Sequence, residues 1–376
     1  MFLEKEGKLI YSYDGETVCI EAWGKDALRV RATKNRSFTG RDWALEAKDA
    51  HEGEVEIFED PSAKGGAFAN MYEGTDTSYG KITNGKLHAV IDSGSVITFY
   101  HEDGRVLLKE HFRRLRDEES MPLNIMGREY SNGVGDNFRI VARFVARKGE
   151  KIFGMGQYQQ HELDLKGCML ELAQRNSQVS VPFYLSSIGY GFLWNNPGVG
   201  QVMFANNGTE WVTESGKEID YLVIAGDTPA EIEENYMTLT GKPPMMPEYG
   251  MGFWQCKLRY WNQEQLLSVA RKYKELGVPL DVIVVDFFHW TKQGEFKFDP
   301  KYWPDVPGMC RELKEMGIQV VVSVWPTVDI YSENFEEMKE KGYLVRTEHG
   351  VPLTMLCGGN EVFFDATNPD ARTYVW

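Results

Sequence analysis

The chain has 376 residues, more than one ordinary hydrophobic core organises, so two domains are expected. It is 42% hydrophobic and 13% aromatic, with a formal net charge of -15. That balance suits a globular protein with large cores and argues against nucleic acid, whose phosphates call for a basic field.

No stretch approaches a membrane span, and MFLEKEGKLIYSYDGETV has no basic region leading into an apolar run. No membrane segment and no signal peptide are expected, and a cytoplasmic location follows. The five cysteines (Cys19, Cys168, Cys256, Cys310, Cys357) are odd in number and far apart. They form neither zinc-type pairs nor a disulfide framework, so no metal is expected. Cys357, beside two glycines, is a candidate for exposure.

Residues 1 to about 235 read as β structure, with short apolar runs at the spacing of sandwiches and barrels. TVCIEAWG, ALRVRAT, GEVEIFED, KLHAVIDSGSVITFYH, FRIVARFVA and QVSVPFYLSS are the runs, and Asp14-Gly15, Asp92-Ser93-Gly94 and Asp103-Gly104 are turns within and between them. Arg113 to Glu119 is densely charged and reads as a solvated loop. Gly154-Met155-Gly156-Gln157 is no phosphate loop, because no GKS or GKT follows and no helix opens after it. Trp194 reads as core, ahead of a turn at Asn-Asn-Pro-Gly. Asn207-Gly208-Thr209 would accept a glycan only in a secreted protein.

At Asp227-Thr228-Pro229 the pattern changes. Thr228 can cap a helix whose first residue is Pro229, and KPPMMPEYG then reads as a stiff linker. The boundary is placed near Gly241, giving domains 1–241 and 242–376.

The second domain opens with GMGFWQCKLRYWNQEQLLSVARKYKELGVPLDVIVVDFFHW, a strand–helix–strand unit. Asn262 is the N-cap and Gln265 sits where a capping box wants Glu or Gln. Leu266, Val269, Ala270, Tyr273 and Leu276 follow at helical spacing, and Gly277 closes the helix. Val278 to Val285 is an apolar run expected of a parallel strand buried on both faces. It ends in Asp286, Phe287, Phe288, His289 and Trp290. An acid and aromatics at the carboxyl end of such a strand stand where α/β folds place ligands, though a capping Asp beside loop aromatics fits equally. A short helix from Pro307 to Met316 leads to a second buried strand, IQVVVSVWP, with Trp325 at its end. Ser332 is expected to cap ENFEEMKEKG and Asn368 to cap PDARTYVW. Only about three barrel strands are present, so the expectation is the front part of a longer (β/α) barrel protein.

These residues resemble glycoside hydrolase family 31 over nearly the whole chain. GEKIFGMGQ, VPFYLSSIGYGFLWNNPG, GKPPMMPEYGMGFW, LDVIVVD and FFDATNPDAR are similar to the family's motifs, and they stand in the family's order. The resemblance implies a β-sandwich N-terminal domain, galactose-mutarotase-like, followed by the first part of a (β/α)8 TIM barrel. It implies that Asp286 grips the terminal sugar and that Trp325 walls the pocket. Phe287, Lys257 and Arg259 border the same mouth, and Asp365 braces a loop. α-Glucosidases of the family usually read D-[I/L]-D-Y, with a second carboxylate two residues on. Phe288 at that place is similar to α-xylosidases: xylose lacks the CH2OH group, and an aromatic can fill the space. A core role for Phe288 is the alternative.

The resemblance further implies a retaining mechanism with two Asp residues, on barrel strands four and six. No residue of this chain matches either, so both are expected beyond Trp376 and no catalytic residue is named. The expected partner is an oligosaccharide; a homo-oligomer is left open, and no cofactor is expected. An α-glucosidase, a transglycosylase and a non-catalytic carbohydrate-binding fragment remain as alternatives. A dinucleotide-binding oxidoreductase would need a G-x-G-x-x-G turn that the sequence lacks.

Overall fold

Alternating apolar residues bounded by Gly and Asp turns produce antiparallel strands throughout the first part of the chain. The computed structural model describes residues 1–46, 50–59, 78–111, 113–114, 124–347, 350–354 and 360–376. Cys357, and the charged segment from residue 115 onward, lie outside them. The chain divides into two compact units, Met1–Pro243 and Pro244–Trp376.

In the first unit the larger sheet runs through Phe2–Lys5, Lys8–Tyr13, Glu16–Trp23, Ala27–Thr33, Ile219–Ala225, Tyr190–Trp194, Val179–Ser186 and Ile152–Gln157. A five-stranded sheet orders Arg128–Asn132, Phe138–Phe144, Thr209–Gly216, Gly200–Phe204 and Met169–Leu172. A further five-stranded sheet covers strands from Glu54 to Lys109. One hydrophobic core joins residues of all three. Its centre is aromatic: Trp194 packs on Trp211 at 5.5 Å, Trp211 on Phe192 at 5.1 Å and Phe192 on Tyr221 at 5.2 Å. Trp194 is fully buried and its indole N–H donates to Thr213 Oγ1.

Two buried arginines in this unit are paired with buried acids. The Arg29 guanidinium donates to both oxygens of Asp220, at 3.0 and 2.7 Å. Arg128 donates to both oxygens of Glu16 and to Glu110. The element GEKIFGMGQ is structural. Glu150 is buried and accepts from Ser186 Oγ and Tyr190 OH, at 2.6 and 2.9 Å. Its glycines form a bulge against Val179–Ser186, with φ of +114° at Gly154 and +89° at Gly156. A Cβ on Gly156 would stand 2.2 Å from the Val179 carbonyl oxygen, so the strand can approach only as glycine.

Helix α1, Pro229–Thr240, is capped by Thr228, whose Oγ1 accepts the Glu231 N–H. The second unit contains a three-stranded parallel sheet, Trp254–Gln255, Val282–Val285 and Gln319–Val322, and a two-stranded antiparallel sheet, Thr327–Asp329 with Glu361–Phe363. Helices α2, Gln263–Glu275, and α3, Val306–Glu315, connect the parallel strands. Leu266, Leu267 and Ala270 of α2 pack with Met309 and Leu313 of α3 and with Ile283 and Val285 of the central strand. Asn262 Oδ1 accepts the Gln265 N–H, and the Gln265 side chain accepts from Trp261, one residue before the usual capping-box partner. At the other end the Gly277 N–H reaches the Lys274 carbonyl and the Val278 N–H reaches that of Tyr273, a Schellman closure. The same pair of bonds recurs at Gly317 and at Gly342.

Four expectations change. The strand expected over Val278–Val285 is Val282–Val285, because Val278 completes the α2 cap and Pro279 has no N–H to pair. The second strand is half-buried, not buried: Gln319–Val322 pairs on one side only among the described residues. Helix α3 begins at Val306 rather than Pro307, with Asp305 accepting the Gly308 N–H. Ser332 caps nothing. Its N–H closes a turn on Asp329, its hydroxyl has no partner among the described residues, and α4, Phe335–Glu340, starts after Asn334. Asn334 spends its side chain on the Gly294 carbonyl. Helix α5, Pro369–Val375, is capped by Asn368 as expected. Among the described residues no helix is long and apolar enough to cross a membrane.

Candidate active-site mouth

The parallel strands of the second unit end at Gln255, Val285 and Val322, and the loops after them carry the residues singled out by sequence. Asp286 directly follows the central strand and is half-buried. Its Oδ1 accepts the Phe287 N–H at 2.8 Å, and its Oδ2 lies 3.6 Å from the Cys256 thiol. Burial and the Asp286 charge push the Cys256 thiol up, which keeps it a protonated donor. A carboxylate held by one amide and one weak thiol donor retains acceptor capacity for hydroxyl groups.

Phe287 lies between two other rings, 5.4 Å from Trp325 and 4.4 Å from Phe288. Phe288 does not pack in the core: it is 52% exposed and holds a left-handed backbone, φ +64°. A bulky residue in that region is strained by about 1–2 kcal/mol, a cost characteristic of functional sites. Arg259 shares the strain at φ +68°. Its guanidinium lies 3.8 Å from the Trp261 ring centre and 5.1 Å from that of Phe288. These two cation–π contacts hold the first loop against the second. Lys257 is exposed, and its ammonium has no partner among the described residues. Its carbonyl accepts the Arg259 N–H at 2.6 Å, the tight turn that presents Arg259.

His289, buried, binds the Asp286 carbonyl through Nδ1 at 3.2 Å and packs on Trp290 and Phe298. Burial lowers its pKa, so it is neutral near pH 7. Asp365 accepts both the N–H and the hydroxyl of Thr367 and so braces its own loop.

Trp290, one of the aromatics expected after the strand, lines a cleft of about 410 Å³ beside Phe288 and Arg259 together with Trp261 and Tyr302, which sequence reasoning missed. Their only signal was the density of aromatics in otherwise unpatterned loops. A wider groove of about 720 Å³ lies in the first unit, around Phe38, Trp43 and Lys217, and none of the candidate sugar-binding residues lines it. Among the described residues no cluster of His, Cys, Asp or Glu could hold a metal ion.

A β-sandwich unit followed in the chain by a strand–helix unit with an acid and aromatics at its strand ends offers a ligand site of the kind that parallel α/β sheets place there. Residues 17–202 match the glycosyl hydrolase 31 N-terminal galactose mutarotase-like domain, and residues 243–376 match the glycosyl hydrolases family 31 TIM-barrel domain. An uncharacterized family 31 glucosidase of Pseudescherichia vulneris is 42% identical over 100% of this chain and 69% of that protein. α-Xylosidase A of Aspergillus niger is 30% identical over 96% of this chain and 49% of its own. The crystal structure of a family 31 α-xylosidase from a soil metagenome, complexed with xylose, superposes with a TM-score of 0.87 at 46% identity. It covers 100% of this chain, which in turn spans 54% of it. The chain therefore belongs to glycoside hydrolase family 31, and it spans between about half and two thirds of the length of these relatives.

Proposed function

We propose that the whole protein is a retaining α-glycoside hydrolase that releases α-xylose from the non-reducing ends of xyloglucan-type oligosaccharides. The observation that carries this reading is Phe288, which stands two residues after Asp286 with its ring exposed at the mouth. An exposed ring there occupies the space that a hydroxymethyl group of glucose would need. Asp286 accepts hydrogen bonds from sugar hydroxyls, and Trp325 with Phe287 offers an apolar face to the ring. The xylose-bound relative at 46% identity supports the same sugar. The retaining reaction needs two carboxyls roughly 5–5.5 Å apart; neither role is assigned to a residue of this chain.

A second reading, an α-glucosidase, draws on the glucosidase name of the Pseudescherichia relative. The two readings part on a single measurement, kcat/KM of the whole protein on paired p-nitrophenyl α-xyloside and α-glucoside. The xylosidase reading expects a preference of about tenfold or more for the xyloside, the discrimination available from one misfit group in a pocket. Equal rates or a glucoside preference would replace it with the second reading.

A further inference from the structure

The loop that follows strand Ala27–Thr33 is pinned from beneath by buried polar side chains. Arg29, fully buried, donates to Asp42 Oδ1 at 2.8 Å and to the Arg41 carbonyl at 2.9 Å while it also holds Asp220. Asn195, buried, donates to the Asp42 carbonyl and accepts the Ala44 N–H. Glu218, buried, accepts both the N–H and the hydroxyl of Thr39, at 2.9 and 2.8 Å. Water alone could satisfy the polar groups of a surface loop. Three buried side chains spent on one loop make it a rigid support for what it carries. It carries Trp43, whose ring is 46% exposed and whose backbone is left-handed, φ +53°. An exposed aromatic held in that region gains no core packing in return, and strain of this kind gathers at ligand sites.

Trp43 stands on the groove of about 720 Å³, a volume within the range of small-molecule sites. Arg36, Arg41 and Lys217 are the cations of the groove, and Asp136 and Glu218 are its acids. Both acids are spent, Asp136 on the Lys217 ammonium at 2.8 Å and Glu218 on Thr39. The Arg36 and Arg41 side chains are exposed, and their guanidiniums have no partner among the described residues. Two unspent guanidinium forks thus stand with an exposed indole on a chain whose net charge is -15. The indole offers a face to the C–H side of a pyranose, and the forks match a carboxylate or a phosphate bidentately.

We propose that this groove is a second sugar site, selective for a pyranose that carries an anionic group, either a uronate carboxylate or a phosphate ester. Trp43 stacks on the ring, and Arg36 with Arg41 binds the anion. The groove lies within the first unit and shares no lining residue with the cleft beside Phe288. The assignment therefore stands whichever sugar the Asp286 mouth accepts.

The test is calorimetry on the 376-residue chain, with circular dichroism confirming each variant's fold. The probes are methyl α-glucuronoside, glucose 6-phosphate, neutral methyl α-glucoside and inorganic phosphate. At least one anionic sugar is expected to bind about tenfold more tightly than the neutral glucoside, and which one does so identifies the anion. That preference should shrink as salt rises from about 20 to 200 mM. Arg36→Gln with Arg41→Gln should remove it. Trp43→Ala should weaken the anionic sugar about tenfold and leave inorganic phosphate unaffected, and Trp43→Phe, which keeps a ring, should retain most of the affinity. Asp286→Asn should change none of these values. Absence of anionic-sugar binding, equal affinity for the neutral glucoside, or indifference to Trp43→Ala would overturn the assignment. So would inorganic phosphate binding as tightly as the preferred sugar, which would leave a plain anion site. A loss in Asp286→Asn would place the binding at the mouth and overturn it as well.

Discussion

Arg259 and Phe288 face each other across the loops that follow the first two strands of the parallel sheet, 5.1 Å from guanidinium carbon to ring centre, and both hold left-handed backbone. A carboxylate placed at 288 would therefore meet a guanidinium before it met a sugar. In the whole protein, Phe288→Asp should lower kcat/KM on α-xylosides and raise it relatively on α-glucosides. The shift should be larger when Arg259→Ala accompanies it, because the new acid is then free for the sugar hydroxyl. Paired p-nitrophenyl glycosides give the ratio. An unchanged ratio in both variants would remove Phe288 from sugar selection.

Buried and exposed arginines should behave differently. Arg128 is buried and binds Glu16 and Glu110, which are buried as well. Arg128→Ala leaves two carboxylates unpaired in the sandwich core and should cost about 3–5 kcal/mol, the penalty of breaking a buried pair. Arg271 joins α2 to α3 through Glu312, with both side chains more than a third exposed. Arg271→Ala should leave urea unfolding little changed, because solvent and salt already screen that pair. Similar losses in both variants would contradict this ordering.

Helix beginnings were legible because capping is local. Thr228, Asn262 and Asn368 each bind an amide two or three residues on, within the reach of sequence alone. Ser332 misled because two good caps stand two residues apart, and the choice was made by the turn on Asp329, outside the helix. Strand lengths were overread for a related reason. An apolar run does not show which of its residues the preceding helix cap will take, and Val278 went to the cap. GEKIFGMGQ pointed to the family, yet its Glu and glycines serve sheet packing. The placement of Asp286 after a parallel strand followed from pattern; the cleft did not, because it is assembled from loops and strand ends far apart in sequence, such as Trp261 with Asp329. Such pairings have no periodic signature.

Acid should loosen the barrel unit through His289. Its pKa in the folded state is lowered, chiefly by burial, below the ordinary value near 6.5. The folded state therefore favours the neutral ring. That contribution is fully present above about pH 6.5 and is lost as pH falls toward the folded value. Proton NMR of the ring, assigned by its absence in His289→Asn, should give a midpoint below about 6.5. Urea titrations should show a drop as pH falls below about 6.5 that the variant reduces. A midpoint at or above the ordinary value would contradict the burial argument.

The 376-residue chain by itself should bind sugars without hydrolysing aryl α-glycosides above background, because the family resemblance leads to the expectation that both carboxylates of the retaining pair lie outside it. Steady turnover by material free of any longer form would show that the pair has been overlooked within the chain.

Asp286 should matter for turnover and not for folding. Its carboxylate sits at a strand end, takes one amide and one thiol donor, and contributes to no ion pair among the described residues. Asp286→Asn should therefore leave the melting temperature nearly unchanged. In the whole protein, kcat/KM should fall by about ten- to a hundredfold. That is the equivalent of one charge-assisted hydrogen bond of roughly 1.5–3 kcal/mol. On the proposed reading, bonds from sugar hydroxyls to this acid would tighten as the ring flattens toward the oxocarbenium-like transition state, so kcat should carry part of the loss. The change should not be mimicked by Cys256→Ser, which keeps a donor beside the same oxygen. Near-normal kcat/KM in Asp286→Asn would take Asp286 out of the site, and a large loss of stability would make it a structural residue instead.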